Sequence, residues 1–223
     1  MTFPALSRAL LVFARDPVPG QVKTRLIPAL GAAGAAELYR HLLQHALHAA
    51  AALPGVSRTL WVDRPDPGPW IREAAATHGM ALAVQCNGDL GQRMHQALAA
   101  ALAGAEQAVL IGSDCPGYDV PYLEQAFARL QDHDAVLGPA ADGGYVLIGL
   151  RRPAPGLFEG VDWGTHRVLE QTRARLQRLD MRWAELATLH DLDTAADLHS
   201  LGESTWSAPA AGETGSEDTG RGC

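Results

Sequence analysis

Short apolar runs alternate with amphipathic segments along most of the chain. Uninterrupted apolar runs are typical of strands buried on both faces of a parallel sheet. They predict strands at 9–14, 58–62, 81–85, 107–112, 134–139 and 145–150, and a weaker one near 182–183. Between them, apolar residues recur at helical spacing and predict helices at 31–53, 70–78, 93–103, 120–130 and 165–179, with a last one after Thr194. This alternation predicts an α/β fold, with a parallel or mixed sheet covered by helices on both sides.

The composition changes near residue 202. The preceding sequence has the length and apolar content of one globular domain, in a chain of 223 residues with 47% hydrophobic composition. Beyond it, Gly, Ser, Thr, Glu and Pro predominate, with almost no residues that could form a core. We therefore predict one domain at 1–201 and a disordered acidic tail at 202–223.

Charge and cysteine content restrict the partners and the location. The net charge of −7 disfavours a general nucleic-acid-binding surface, so any attraction for phosphate must be local. The three cysteines have neither disulfide-framework nor metal-site spacing, which suits a reducing compartment. The chain shows no signal-peptide pattern and no apolar stretch near the ~20 residues of a membrane helix. We predict a cytoplasmic protein without a membrane span.

The first predicted strand ends in a basic loop. Prolines and a glycine at 17–20 break the strand, and three cations flank the break: Arg15, Lys23 and Arg25. The carboxyl ends of strands in open α/β sheets bind ligands, so this loop is predicted to hold the phosphates of a nucleotide. Val22 and Pro17 stand where a P-loop requires glycine, which excludes that motif. The alternative is a solvated basic surface loop.

Asp114 follows the predicted strand 107–112 and should lie at the same sheet edge as the basic loop. Mg²⁺ prefers one or two carboxylates together with phosphate oxygens, so Asp114 is a candidate metal ligand. The alternative is a helix cap or a turn residue, although Asp119 is closer to the next helix and is the better cap.

Asp142 precedes Gly143 and Gly144 and then a strand. Consecutive glycines let a backbone approach a ligand closely, so Asp142 could be a second metal ligand or could orient an acceptor. An ordinary Asp-Gly hairpin turn explains the same residues.

Trp163 and Thr165 open the predicted helix 165–179. Trp163 is a candidate platform for a sugar ring or base, whereas core packing and helix capping by Thr165 or Asp162 are the alternatives.

Asp191 and Asp193 precede Thr194-x-x-Asp197, which has the pattern of a capping box. Capping is the favoured interpretation, and either acid could also be an additional carboxylate near the site.

These motifs together resemble a known family. Its pattern is matched by four segments: Phe13–Leu26 (Phe-Ala-Arg-x-Pro-x-Pro-Gly-x-Val-Lys-Thr-Arg-Leu), Gly112–Pro116 (Gly-Ser-Asp-Cys-Pro), Gly138–Leu150 (Gly-Pro-Ala-x-Asp-Gly-Gly-Tyr-x-Leu-Ile-Gly-Leu) and Trp163–Thr165 (Trp-Gly-Thr). In this order they resemble a bacterial family of GT-A-type glycosyltransferases in the nucleotide-diphospho-sugar transferase superfamily. The resemblance covers about residues 8–200.

The resemblance implies a Rossmann-like, three-layer α/β/α fold with a mostly parallel sheet. It also implies Mg²⁺ or Mn²⁺ held by Asp114, and Asp142 is the candidate for a second metal ligand. The implied catalytic residues are Lys23, Arg25 and Asp142. The implied nucleotide-binding residues are Ala14, Arg15, Gly20, Lys23, Arg25, Gly91 and Arg93. The implied acceptor or sugar contacts are Gly143, Gly144, Trp163 and Thr165. One departure concerns the metal: many GT-A enzymes carry Asp-x-Asp, and here Asp114 has no second acid two places on.

Three functions follow as expectations. The leading one is transfer of a sugar from a nucleotide-diphosphate donor to a small acceptor, with the metal and cations stabilising charge on the leaving diphosphate. The second, suggested by a more distant similarity to guanylyltransferases, is nucleotidyl transfer from a nucleoside triphosphate to a phosphorylated acceptor with release of pyrophosphate. The third is a non-catalytic nucleotide-binding protein.

Overall fold

The computed structural model describes residues 7–200, with a seven-stranded sheet and helices on both of its faces. The strands are β1 (Arg8–Ala14), β2 (Val56–Val62), β3 (Ala81–Val84), β4 (Gln107–Ile111), β5 (Ala135–Pro139), β6 (Tyr145–Leu150) and β7 (Trp183–Glu185). The α-helices are α1 (Ile27–Ala52), α2 (Pro69–Thr77), α3 (Leu90–Leu102), α4 (Val120–Asp132), α5 (Val168–Arg178) and α6 (Ala195–Ser200). Short 3₁₀ helices lie at Thr24–Leu26 and Pro155–Leu157.

The strand order is β3-β2-β1-β4-β6-β5-β7. β6 runs antiparallel to both β4 and β5, and the other pairings are parallel. The chain proceeds outward from β1 to β3 and then returns to place β4 on the opposite side of β1. The carboxyl ends of β1 and β4 therefore flank a topological switch point, where open α/β sheets form ligand crevices.

The alternation of side chains along β1 separates two apolar layers. Leu10 and Val12 belong to a buried cluster with residues of α1, α2 and α4, including Leu47, Ile71 and Phe127. Leu11 and Phe13 belong to a second cluster with residues of α3 and α5, including Met94, Leu98 and Leu176. The predicted mostly parallel α/β/α architecture is confirmed.

Helix starts differ most from the predictions. α1 has its first residue at Ile27, but Gly31 (φ 70°, ψ 166°) is not helical and separates a short first turn from the long helix, which begins close to the predicted residue 31. α3 begins at Leu90 because Asp89 and Gln92 form a capping box. α5 begins at Val168 rather than Thr165, since the Thr165 hydroxyl donates to the Asp162 carbonyl at 2.8 Å and stabilises a separate turn.

Two predicted caps are confirmed. The Asp119 carboxylate accepts from the Tyr122 amide at 2.7 Å and begins α4. The Asp197 carboxylate accepts from the Thr194 amide at 2.7 Å and from its hydroxyl at 2.9 Å, at the start of α6.

The tail predicted at 202–223 lies outside the described residues. Within residues 7–200, none of the helices combines the length and apolarity needed to cross a bilayer.

Candidate active site

A cavity of about 580 Å³ opens at the carboxyl ends of β1 and β4. We call it the crevice. Its walls come from the loop after β1, the start of α3, the end of β4, the β5–β6 turn, the turn before α5 and the chain after β7. Most of the predicted site residues line it: Ala14, Arg15, Lys23, Arg25, Arg93, Asp114, Asp142, Gly144, Trp163 and Thr165.

Asp16 fixes the start of the basic loop. Its side chain is buried and accepts a hydrogen bond from the Gly68 amide at 2.7 Å. The neighbouring Arg15 amide donates to the Tyr39 hydroxyl on α1 at 2.8 Å. These two hydrogen bonds fix the chain at Arg15 and Asp16. Arg15 itself is exposed and lines the crevice.

Lys23 connects the basic loop with two carboxylates. Its ammonium lies 2.7 Å from Asp193 Oδ1 and 3.4 Å from Asp114 Oδ2, and its side chain is only 4% exposed. Its backbone is left-handed, with φ 46° and ψ 42°, a costly conformation for a non-glycine residue. Lys23 and Asp114 therefore share the crevice, but the Lys23 charge already has partners there. Arg25, two residues further on, is exposed.

Asp114 and the basic loop are also joined by hydrogen bonds. The Ser113 hydroxyl donates to Asp114 Oδ1 at 3.2 Å and pairs with the Tyr39 hydroxyl at 2.9 Å. Burial, followed by the nearby Asp114 charge, raises the pKa of Tyr39, which keeps its phenol protonated. Tyr39 thus contacts the ends of both β1 and β4, a role that its place in the helical repeat did not reveal.

Two further acids reach the crevice from the C-terminal segment, defined as residues 186–193. The Leu189 amide donates to the Pro139 carbonyl at 3.0 Å, and the Leu192 amide donates to the Asp114 carbonyl at 3.2 Å. These bonds bring Asp191 and Asp193 into the crevice. Both interpretations of this stretch therefore apply. Thr194 and Asp197 cap α6, and Asp191 and Asp193 line the crevice.

Asp191 has an unusual protonation behaviour. Burial and then the charges of Asp114, Asp193 and Asp142 raise the pKa of this carboxyl to about 7, despite the opposing effect of Lys23. Carboxylates therefore crowd this part of the crevice, and an added positive charge would relieve their repulsion.

Asp142 serves the turn and also faces the crevice. Its carboxylate accepts from the Gly144 amide at 2.8 Å, as the hairpin interpretation expects. Gly144 lines the crevice, whereas Gly143 (φ +90°) packs against the His166 backbone and is absent from the lining. Gly20 likewise turns the loop with φ +82°, outside the lining.

Trp163 lies across the start of α3. A Cβ added at Gly91 would come within 2.7 Å of the indole Cζ2, so the buried Gly91 makes room for this ring. Trp163 meets Tyr145 edge-on, with ring centroids 6.5 Å apart at 85°. The Trp163 Nε1 is buried and has no hydrogen-bond partner among the described residues, whereas the buried Tyr145 hydroxyl interacts with the Thr172 side chain. We call Trp163 and Tyr145 the aromatic wall. Gly91 packs against this wall, whereas Arg93 lines the crevice.

The carboxylates at the crevice could supply one or two ligands to a divalent metal ion, but not a complete coordination shell. Within residues 7–200, no three His, Cys, Asp or Glu side chains converge closely enough to enclose an ion. Asp114 nevertheless lines the same crevice as Asp142, Asp191 and Asp193. A site with one or two carboxylates, completed by phosphate oxygens and water, is the usual arrangement for Mg²⁺.

A family model for uncharacterized proteins conserved in bacteria, DUF2064, matches residues 46–165. The chain belongs to this DUF2064 family. A solved structure from Desulfovibrio desulfuricans G20, provisionally described as a nucleotide-diphospho-sugar transferase, is 36% identical to the chain. It superposes with a TM-score of 0.80 over 87% of this chain and 85% of that one. The search of curated proteins gives no match.

More distant structures share the fold of this DUF2064 protein. A cytidylyltransferase from Leptospira borgpetersenii is 17% identical, with a TM-score of 0.56 over 88% of this chain and 85% of that one. Glucosyl-3-phosphoglycerate synthase from Mycobacterium tuberculosis, solved with Mn²⁺ and UDP, is 10% identical, with a TM-score of 0.54 over 88% and 75%. The predicted superfamily is confirmed, and so is the general prediction of a transferase.

Proposed function

We propose that this DUF2064 protein transfers a sugar from a nucleotide-diphosphate donor to a small acceptor, with Mg²⁺ or Mn²⁺ bound at the crevice. The observation that carries this proposal is that exposed arginines and Asp114 line one crevice at the switch point between β1 and β4. The description of the 36% identical Desulfovibrio structure supports the same substrate class.

The arginines are assigned to the diphosphate. Arg15 and Arg25 are exposed, and Arg93 is held at the crevice by a 3.3 Å hydrogen bond to Gln85. Guanidinium groups bind phosphate oxygens through paired donors and remain charged at all relevant pH values. They would stabilise the negative charge that develops on the leaving diphosphate.

In this proposal Lys23 positions carboxylates and does not make the first contact with phosphate. Because its ammonium contacts Asp114 and Asp193, it holds these carboxylates in place and limits their mutual repulsion. We therefore assign the first contacts with phosphate to Arg15 and Arg25, and keep Lys23 as a residue that positions Asp114.

Asp114, with Asp142 as the second candidate, would hold the metal. When bound, the ion would neutralise diphosphate charge and polarise the bond to the leaving group. Trp163, Gly144 and Thr165 line the part of the crevice left for the sugar and the acceptor. Asp142 is also the candidate for accepting a proton from the acceptor hydroxyl.

Nucleotidyl transfer is the second candidate. It is favoured by the single acid in Ser113-Asp114-Cys115-Pro116, since many GT-A enzymes have an Asp-x-Asp motif there. It uses the same arginines and metal, but breaks a bond within the triphosphate.

A thermal-shift screen separates these candidates. Nucleotide sugars, nucleoside diphosphates and nucleoside triphosphates are compared with and without Mg²⁺ or Mn²⁺. We expect metal-dependent stabilisation by nucleotide sugars and nucleoside diphosphates. Stabilisation by triphosphates alone would remove the sugar-transfer proposal in favour of nucleotidyl transfer.

The Asp114→Asn variant tests the metal-assisted mechanism. We expect the metal-dependent part of nucleotide affinity to fall by about 10–100-fold or more, because a metal-binding carboxylate is lost. Isothermal titration with and without Mn²⁺ measures this change. The control is Asp132→Asn, which removes an exposed carboxylate at the end of α4. Unchanged affinity and metal dependence in Asp114→Asn would leave a nucleotide-binding protein without this mechanism.

A further inference from the structure

The crevice is charged unevenly along the strand order. Arg15 directly follows β1, and Arg93 hydrogen-bonds Gln85 Oε1. The Gln85 amide in turn donates to the Trp61 carbonyl at 3.0 Å and the Ala14 carbonyl at 3.4 Å, within β2 and β1. Arg15 and Arg93 therefore lie over the β3-β2-β1 half of the sheet, and we call them the cationic side.

Four carboxylates lie over the other half. Asp114 follows β4, Asp142 lies in the β5–β6 turn, and Asp191 and Asp193 lie in the C-terminal segment. That segment runs beside the β5–β6 turn, where Ala140 pairs with Leu189. We call these four residues the acidic side.

Among the cations near the acidic side, Lys23 and Arg167 are paired with carboxylates, and Arg25 is exposed and lines the crevice. Lys23 contacts Asp114 and Asp193 and is almost fully buried. Arg167, in the turn that carries Trp163, forms an ion pair with Asp162 at 2.7 Å. Arg25 follows Lys23 on the 3₁₀ helix and is exposed. The acidic side therefore retains a negative charge that its own cations do not cancel.

The same half of the crevice contains an aromatic wall. Trp163 and Tyr145 line it, and the buried Trp163 Nε1 has no hydrogen-bond partner among the described residues. Aromatic faces pack against apolar C–H surfaces, and carboxylates accept hydrogen bonds from hydroxyl groups. Together these groups complement a ring or chain bearing several hydroxyls.

A phosphorylated acceptor is a poor fit to this half. Its dianion would face Asp114, Asp142, Asp193 and, when it is ionised, Asp191 in a partly desolvated crevice, where like charges repel. The divalent ion of the proposed function would offset part of this repulsion, but the diphosphate bound to the same ion adds negative charge of its own.

We propose that the acidic side with Trp163 and Tyr145 binds an uncharged, polyhydroxylated acceptor and discriminates against phosphorylated ones. This inference rests on the proposed function and selects its acceptor class. In the transfer, the acceptor oxygen bonds to the anomeric carbon, and the bond from that carbon to the diphosphate oxygen breaks. The diphosphate leaves with the electron pair, and the hydroxyl proton passes to a carboxylate of the acidic side.

Ligand-observed NMR tests this selectivity. The protein is saturated with Mg²⁺, since paramagnetic Mn²⁺ would broaden the ligand signals. It is also saturated with the nucleoside diphosphate (UDP, GDP, CDP or ADP) that gives the largest thermal shift. Glycerol, glucose, mannose and myo-inositol are then each compared with their monophosphates. We expect at least one neutral compound to bind about tenfold or more tightly than its monophosphate at low salt, with the gap narrowing as salt screens the repulsion.

A matched pair of variants introduces a cation into this half. Thr165 is exposed and lines the crevice without belonging to the acidic side. Both Thr165→Arg and Thr165→Gln lose the hydroxyl that stabilises the turn. Only the Arg variant adds charge. We expect Thr165→Arg to bind the monophosphates more tightly than Thr165→Gln does.

The outcomes separate the two proposals. If none of the diphosphates binds, the proposed function fails before the acceptor is tested. If a diphosphate binds but a monophosphate binds more tightly than its neutral partner, or no neutral compound binds, only the acceptor inference fails. Monophosphate binding that disappears in Arg25→Met while diphosphate binding persists would also overturn it, by showing that Arg25 provides an acceptor-phosphate site.

Discussion

At the scale of single residues, Lys23 shows how local conformation and charge combine. Its left-handed backbone places a buried ammonium between Asp114 and Asp193. Such strain persists only where surrounding interactions compensate for it, and here the compensation is electrostatic. Asp191 lies in the same group of charges and has its pKa raised to about 7. The site therefore stores unfavourable carboxylate repulsion that a bound cation would relieve.

Asp191→Asn should stabilise the metal-free protein at alkaline pH. Because the pKa of Asp191 is higher in the folded protein than in the unfolded chain, wild-type stability falls as the pH rises from about 4 to 7. The penalty is complete above that range, and asparagine does not incur it. A shift of about 3 pKa units corresponds to at most ~4 kcal/mol, and we expect about 1–3 kcal/mol after structural relaxation.

Urea unfolding in EDTA at pH 4 and pH 8 measures this difference. The gain should be present at pH 8 and small at pH 4, whereas Asp132→Asn should show no comparable gain. A loss of stability in Asp191→Asn at both pH values would contradict the interpretation.

Gly91→Ala tests the packing of the aromatic wall. A Cβ there would come within 2.7 Å of Trp163 and 2.8 Å of the Phe158 carbonyl oxygen. We expect a loss of about 1–3 kcal/mol in unfolding free energy, measured by urea denaturation, because a packed region must shift. Gly104→Ala is the control, since its Cβ would meet no atom within 4 Å. Equal stability of the two variants would show that Trp163 moves without cost.

At the scale of elements, the C-terminal segment completes the site. It leaves β7, runs beside β5 and places Leu192 in a cluster with Leu26, Leu38 and Leu42. Its hydrogen bonds to the Pro139 and Asp114 carbonyls hold it across the sheet edge. The Lys23–Asp193 pair then links it to the loop after β1, so residues far apart in sequence depend on one another at the crevice.

Lys23→Met and Asp193→Asn should loosen this segment. Lys23→Met leaves Asp193 and Asp114 without their shared cation, and Asp193→Asn leaves Lys23 with Asp114 as its remaining partner. Hydrogen exchange should accelerate at the Leu192 amide by about tenfold, corresponding to about 1.4 kcal/mol of local stability. The β2 amides serve as the internal control.

The two variants also distinguish a positioning role from direct phosphate binding. If Lys23 positions the segment, both variants should increase exchange there. A Lys23→Met variant that loses diphosphate affinity without faster exchange at Leu192 would instead indicate a phosphate contact.

At the scale of the whole molecule, the cationic side of the crevice, Arg15 and Arg93, has a charge opposite in sign to the net charge of the chain. The chain carries a net charge of −7, yet Arg15, Arg25 and Arg93 line the crevice. The Debye length is about 8 Å at physiological salt, so distant carboxylates are largely screened from a phosphate in the crevice. Nearby arginines should therefore control anion binding.

The direction of the salt dependence tests this view. If local arginines dominate, diphosphate affinity should fall as salt rises from about 0.05 to 0.5 M, and less steeply in Arg15→Met or Arg93→Met. If the total charge dominates, salt should strengthen binding by screening repulsion. Isothermal titration gives the dependence, and the corresponding uncharged nucleoside provides the control.

The sequence by itself determined the layers, most element positions and the candidate phosphate and metal residues. Apolar runs such as 107–112 and helical repeats predict which residues are buried. Because β1 and β4 are parallel neighbours, Arg15 and Asp114, which follow them, lie at the same edge of the sheet. Asp119 likewise capped its helix as its local spacing predicted.

Only the tertiary structure decided which charges meet. Lys23 and Asp193 lie 170 positions apart, and Tyr39 reaches Ser113 across 74 positions, so no local pattern reveals either contact. The start of α5 also differs from the prediction, because the Thr165 hydroxyl bonds the Asp162 carbonyl in a separate turn before Val168. Periodicity reports whether a residue is buried, whereas charge partners depend on the path that the chain takes through three dimensions.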